Sequence, residues 1–137
     1  MLKIIIPGKP IPQKRPRFRR MGNFVSTYDP SSTEKNGLKL LVQSQTNKQI
    51  APPIKMELFA YMPIPKSFSK KKKAELLGSY HVKKPDLDNI EKFYMDLMSG
   101  ICYHDDAEIC VKSAVKIYSE DPRVVIHLST LDADVQP

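Results

Sequence analysis

No stretch of the 137 residues approaches the roughly 18 consecutive apolar residues that cross a bilayer. The opening Met1-Leu2-Lys3-Ile4-Ile5-Ile6-Pro7 also lacks the pattern of a cleavable signal, so a cytoplasmic protein with no membrane association is expected. Cysteine is scarce: Cys102 and Cys110 are too few for a disulfide framework, and buried free thiols are the expectation. There is no internal repeat and no low-complexity segment, and the length suits one domain, 1–137, around a single core. The most telling absence is of acid at the start of the chain. No Asp or Glu precedes Asp29.

That gap is filled with positive charge. Lys3, Lys9, Lys14, Arg15, Arg17, Arg19 and Arg20 make seven basic residues before Asp29, equal to the net charge of +7. The other 15 of the 22 basic residues balance all 15 acidic ones. Pro10, Pro12 and Pro16 keep the segment 9–20 from being a regular helix interior, so it is expected as a semi-extended basic arm or loop leaving the first strand. A run of charge can be a solvated face. Here Arg dominates, and its planar fork suits bidentate phosphate contact, so Lys14, Arg15, Arg17, Arg19 and Arg20 are candidate polyanion contacts. Phe18 and Phe24 either stack on bases or anchor the loop.

The acid that is missing early collects later. Asp86, Asp88, Asp96, Asp105, Asp106 and Glu108 fall within residues 86–108. Crowded carboxylates repel one another and hold their protons more tightly unless a cation neutralises them. Mg²⁺ does this well, because it takes oxygen ligands and keeps several waters, and Mn²⁺ is a substitute. An acidic metal pocket in a basic chain is suited to cutting a phosphate backbone.

The order of elements gives a short α/β (α+β) chain. Leu2 to Ile6 reads as a strand, and residues 32–48 as a helix capped by Ser31 or Ser32, with Leu38, Leu41, Val42 and Gln45 on one side. Ile54 to Met62 alternates as a strand, and Ser69 caps a short helix bearing Lys70 to Lys73 that ends near Gly78. Asp88 is the expected cap of a helix running to about Ser99, with Gly100 at its stop. Ile90, Phe93, Tyr94 and Leu97 form its core stripe, while Asp88, Lys92 and Asp96 share another face. Ile109 to Tyr118 and Arg123 to Leu131 read as two strands joined by the turn Ser119-Glu120-Asp121-Pro122, and the tail 132–137 as frayed.

Asp86 and Asp88 can reach one point if the backbone turns between them, and Asp106 must be brought in by the fold. Three carboxylates on Mg²⁺ leave positions for water and a phosphate oxygen, with Lys92 placed to stabilise developing charge. The plainer reading is a helix cap, a pairing lysine and a turn, each common alone. Other metals fare worse. The Asp86-x-Asp88 order lacks the glycine an EF-hand loop needs, and Cys102, His104 and Cys110 lack a recognised zinc spacing.

The run Lys84-Pro85-Asp86-Leu87-Asp88-Asn89-Ile90-Glu91-Lys92, then Asp96, Gly100 and Asp105-Asp106, resembles the RusA family of Holliday junction resolvases. The opening Gly8-Lys9-Pro10-Ile11-Pro12 with Arg15-Pro16-Arg17, and the closing Pro122-Arg123-Val124-Val125-Ile126, are similar to that family as well. The resemblance implies a Mg²⁺-dependent endonuclease of recombination and repair, acting as a homodimer on branched DNA (the four-way junction) and built on a small fold with a mixed β-sheet flanked by helices. It implies catalytic roles for Asp86, Asp88, Asp106 and Lys92, with Asp105 a further member of the metal-binding set, and Lys84 is expected to add to DNA contact. A nuclease for flaps and a non-catalytic DNA-binding module remain open alternatives.

Overall fold

Alternation lays down the first strand, β1 (Leu2–Pro7), which buries Ile4 and Ile6 and turns Lys3 and Ile5 the other way. The basic segment is more regular than its prolines suggest. Residues 9–16 form a loop, but Arg17–Met21 is a strand, β2, paired antiparallel with β3 (Phe24–Tyr28). The expected arm is therefore partly a hairpin. Gly22, with φ +60, supplies its turn, a conformation open to glycine at little cost. The computed structural model describes residues 1–132, apart from the side chains of Met21 and Phe24; the expected frayed tail lies outside the described residues save for Asp132.

Helix α1 (Ser32–Gln43) starts after Ser31, as expected, but stops five residues short of Lys48. Gln45 explains the difference. Its side-chain amide donates to the Ile5 carbonyl at 2.7 Å and accepts from the Ile5 N–H at 2.8 Å, occupying the free edge of β1. A strand edge left open invites foreign pairing, and this contact closes part of it. Strand β4 (Ile54–Met62) buries every second residue, Ile54, Met56, Leu58, Ala60 and Met62. Ser69 caps the short helix α2 (Lys70–Leu76) by accepting the Lys72 N–H at 3.2 Å. Helix α3 (Leu87–Met98) buries Ile90, Phe93, Tyr94, Leu97 and Met98, and Gly100 follows it with φ +82.

A single 3₁₀ turn, Asp106–Glu108, leads into β5 (Ile109–Tyr118), and β6 (Arg123–Thr130) closes the chain. These last two strands are not a hairpin. The sheet order is β1-β6-β4-β5, so β4 lies between them, parallel to β5 and antiparallel to β6. The short turn spans the end of β4, where Ser119 N–H bonds the Met62 carbonyl at 2.9 Å. The mixed four-stranded sheet packs α1 and α3 on one face, giving an α+β fold in two layers.

The core is the seam between those layers. Phe93, Tyr94, Leu97 and Ile90 of α3 meet Ile4, Met56, Leu58 and Ile126 of the sheet, and each such side chain contributes about 1.5–3 kcal/mol by burial. Cys102 joins this core, and burial pushes its thiol up to about 11, so it stays protonated. Cys110 is exposed, contrary to expectation, because it sits at the open start of edge strand β5. Among the described residues no helix is long and apolar enough to cross a membrane.

Candidate active site

The N-terminus of α3 is set by the chain before it. Lys116 of β5 donates from Nζ to the carbonyls of Lys83 at 2.7 Å and Pro85 at 2.8 Å, fixing the approach to the helix. Asp86, not Asp88, occupies the cap position: its carbonyl accepts the Ile90 N–H at 3.2 Å, the first bond of the helix. The Asp86 carboxylate makes no cap bond. It accepts instead from Lys84 Nζ at 2.6 Å, and that bond, with the lysine's charge, holds its pKa below the ordinary carboxylate value. Asp88 stands exposed in the first turn and accepts the Asn89 N–H at 3.0 Å.

One turn further, Lys92 reaches a cavity of about 390 Å³ shared with Asp96, Asp106 and Lys112. Burial raises the pKa of Asp106, and hydrogen bonding with Asp105 and the charges of Asp105 and Asp96 raise it further. This is the carboxylate crowding expected from sequence, concentrated on one residue. Glu108 holds the turn in place by accepting the N–H groups of His104 at 3.1 Å and Asp105 at 3.3 Å. Tyr103, buried beneath it, donates its hydroxyl to the Met95 carbonyl and ties the acidic turn to α3.

A buried cation stands behind Asp96. Lys35 of α1 binds Asp96 at 2.6 Å and Asp29 at 2.7 Å with only 7% of its side chain exposed. Burial opposes its charge, but the two carboxylates outweigh that and raise its pKa. Asp29 in turn accepts from Gln13 at 2.7 Å and from the Ser31 N–H at 2.8 Å. The same loop is stitched to α3 directly. Ile11 N–H donates to the Tyr94 hydroxyl at 2.9 Å, and Gln13 N–H to the Asn89 carbonyl at 2.8 Å. The basic hairpin is thereby registered against the helix that carries Asp88 and Lys92.

Arg15, Arg17, Arg19 and Arg20 are exposed and make no ion pair among the described residues, so their charge is free for a partner. Lys14 is already paired with Glu34 at 3.5 Å. Alternation along β2 sends Arg17 and Arg19 to one face and Arg20, with the exposed Phe18, to the other.

Sequence reasoning missed Lys35, Lys112 and Lys116. A signal for the last two was present: Lys112, Ala114, Lys116 and Tyr118 recur at every second position of β5. In register they lie beside Met56, Leu58, Ala60 and Met62, on the helix-covered face. Lys112, still exposed near the strand's start, pairs with Glu91 at 3.0 Å, and Lys116, more deeply placed, finds the two loop carbonyls.

The structure thus brings Lys92, Asp96 and Asp106 to one cavity and leaves Asp86 and Asp88 outside its walls. Among the described residues no group of three or more His, Cys, Asp and Glu side chains is gathered to hold a metal ion. The donors nevertheless fit a hard cation in kind. They are carboxylate oxygens, and Asp106, raised first by burial and then by Asp105 and Asp96, sits among negative charges that a divalent ion would relieve.

The family model described as endodeoxyribonuclease RusA matches residues 7–129, from the basic loop through β6. The chain belongs to the RusA endodeoxyribonuclease family. The matched span runs through the hairpin, the Asp86–Lys92 segment and the acidic turn. The chain is also 33% identical over 139 aligned residues to the uncharacterized protein YqaN of Bacillus subtilis (strain 168), covering 96% of this chain and 98% of that one. RusA family membership makes it a hydrolase of the DNA backbone by kind.

Proposed function

We propose that this RusA family member is a divalent-metal-dependent endonuclease that resolves four-way DNA junctions in the cytoplasm by paired, symmetric nicks. The observation carrying the reading is the cavity that gathers Asp96, Asp106 and Lys92, beside a helix tied through Ile11 and Gln13 to a hairpin whose arginines make no ion pair among the described residues. Asp86, Asp88 and Asp106, with Asp105, would hold Mg²⁺ or Mn²⁺. Such an ion supplies an activated water and neutralises charge at the phosphate. Lys92 stabilises charge on the phosphate oxygens, and Lys112 and Lys116 keep the surrounding frame rigid. Arg15, Arg17, Arg19 and Arg20 bind the backbone, with Lys14 and Lys84 able to exchange their carboxylate partners for phosphate.

Two opposed cuts call for two sites, which a two-fold homodimer supplies. The sheet face away from α1 and α3 favours pairing, because it carries Ile5, Phe59, Tyr61 and Val111 with no helix over them among the described residues. Cleavage of a strand-labelled junction with Mg²⁺ and with EDTA, beside linear duplex and flap controls, tests the reading. Paired nicks confined to the junction and to metal support it. Cutting of flaps alone points to a different branched-DNA nuclease, and binding without cutting to a DNA-binding module.

The hairpin has its own test. Arg17→Gln with Arg19→Gln should weaken binding to junction and duplex alike and flatten the slope of log affinity against log salt by about 1.8, two phosphate contacts at about 0.9 each. An unchanged slope would remove the hairpin from the interface.

A further inference from the structure

A second groove adjoins Asp86, through Lys84 in its wall. It has a volume of about 420 Å³, and Lys9, Lys66, Lys83 and Lys84 line it with no carboxylate among its walls. These lysines come from three separate parts of the chain: after β1, after β4 and before α3. Lys9, Lys66 and Lys83 make no ion pair among the described residues, and Lys84 pairs with Asp86, which places one end of the groove at the candidate active site. Three cations without a carboxylate partner, beside a fourth held by Asp86, call for a multivalent anion.

The groove is more than a basic patch. Ile64, Pro65, Phe68 and Tyr118 give it an apolar wall, and Lys72 sits 4.1 Å over the Phe68 ring. A phosphate needs no such wall, whereas the face of a base does. His81 also lines the groove, its ring tilted against Tyr118 with centroids 4.8 Å apart, and burial with the charge of Lys116 lowers its pKa, so the ring adds a neutral face to the wall.

We propose that this groove binds one unstacked nucleotide of the DNA strand next to the candidate active site, its phosphates on the four lysines and its base against the apolar wall. The proposal rests on the endonuclease reading and adds a source of substrate choice. A regular duplex keeps its bases inside the stack, where the groove cannot reach them without paying to unstack one. A branch point supplies a nucleotide at low cost. The groove therefore selects branched over linear DNA.

Two variants test this by equilibrium binding, with a single-stranded oligonucleotide and a linear duplex as probes. Phe68→Ala should weaken single-strand binding about 10-fold, the size of a lost base–aromatic stack, and leave duplex binding unchanged. Lys66→Ala with Lys83→Ala, both on exposed side chains, should flatten the single-strand salt slope by about 1.4, at about 0.7 per phosphate, with the duplex slope unaltered. Equal losses on both probes, or none on the single strand, would overturn the proposal. Failure of the endonuclease reading shows itself separately, as absence of cutting of any DNA by the unaltered protein with Mg²⁺.

Discussion

Asp88→Asn is expected to cut cleavage to about one-thousandth or less of the unaltered rate while junction binding stays the same or tightens. The exchange keeps the shape of the side chain and an oxygen that can accept the Asn89 N–H, so the first turn of α3 is preserved. Asp88 is exposed, and surface exchanges of this kind shift stability by about 0.5 kcal/mol or less. What is lost is one negative charge in the first turn of the helix. In the proposed reaction that charge repels phosphate when no cation is bound and would be a ligand when one is. Removing it therefore divides binding from chemistry, which a structural role for Asp88 would not do. Single-turnover cleavage and anisotropy on the same junction separate the two. Cleavage near the original rate would take Asp88 out of the reaction, and a parallel loss of binding would point to damage to the fold.

How much of this was legible beforehand depends on whether each signal was local. The alternation of Ile54 to Met62 and the stripe Ile90, Phe93, Tyr94, Leu97 each express one element's own periodicity, and both elements fold as that pattern requires. The β5–β6 turn failed as a hairpin signal because strand order is a property of the whole sheet, and β4 inserts between neighbours in sequence. Strand β2 was hidden by composition, since its prolines lie just outside it and its arginines resemble solvated loop. Helix α1 ends early for a reason 40 residues away, at the edge of β1.

The same division runs through the site. Asp86, Asp88 and Lys92 share one segment, and Asp105 and Asp106 another, so they stand out as a pattern before any fold is known. Lys35, Asp29 and Gln13 carry no motif at all. They matter because tertiary contacts converge on Asp96, from a helix and a loop that sequence places far from it. The cap position fell two residues earlier than expected because either aspartate suits a cap, and the choice was made by Lys116 holding the carbonyls of Lys83 and Pro85 from across the sheet.

Lys35→Met should expose that hidden arrangement. The substitution removes the only cation between Asp29 and Asp96 among the described residues and leaves their carboxylates facing one another. Breaking a fully buried pair costs about 3–5 kcal/mol. Here the carboxylates are 36% and 58% exposed, so water screens part of the loss, and about 1–3 kcal/mol is expected. The pH dependence has a definite sign. Lys35 is raised, so its contribution is complete below its ordinary value of 10.5 and fades only as pH climbs through the folded value. Asp29 is lowered, mainly by its bonds from Lys35, Ser31 and Gln13 against a burial effect that raises it, so its contribution holds above 3.8 and fades as pH falls through the folded value. The stability gap between the two proteins should therefore be flat around neutrality and shrink well below pH 3.8. Urea midpoints at both pH values measure it, and a gap of equal size in acid would show that packing of the lysine stem, not its charge, is what was lost. Because Asp29 anchors Gln13, and Gln13 bonds the Asn89 carbonyl, the variant should also weaken junction binding through the hairpin without touching an arginine. Asp96→Asn combined with Lys35→Met should then cost less than the sum of the two, since both break the same pair.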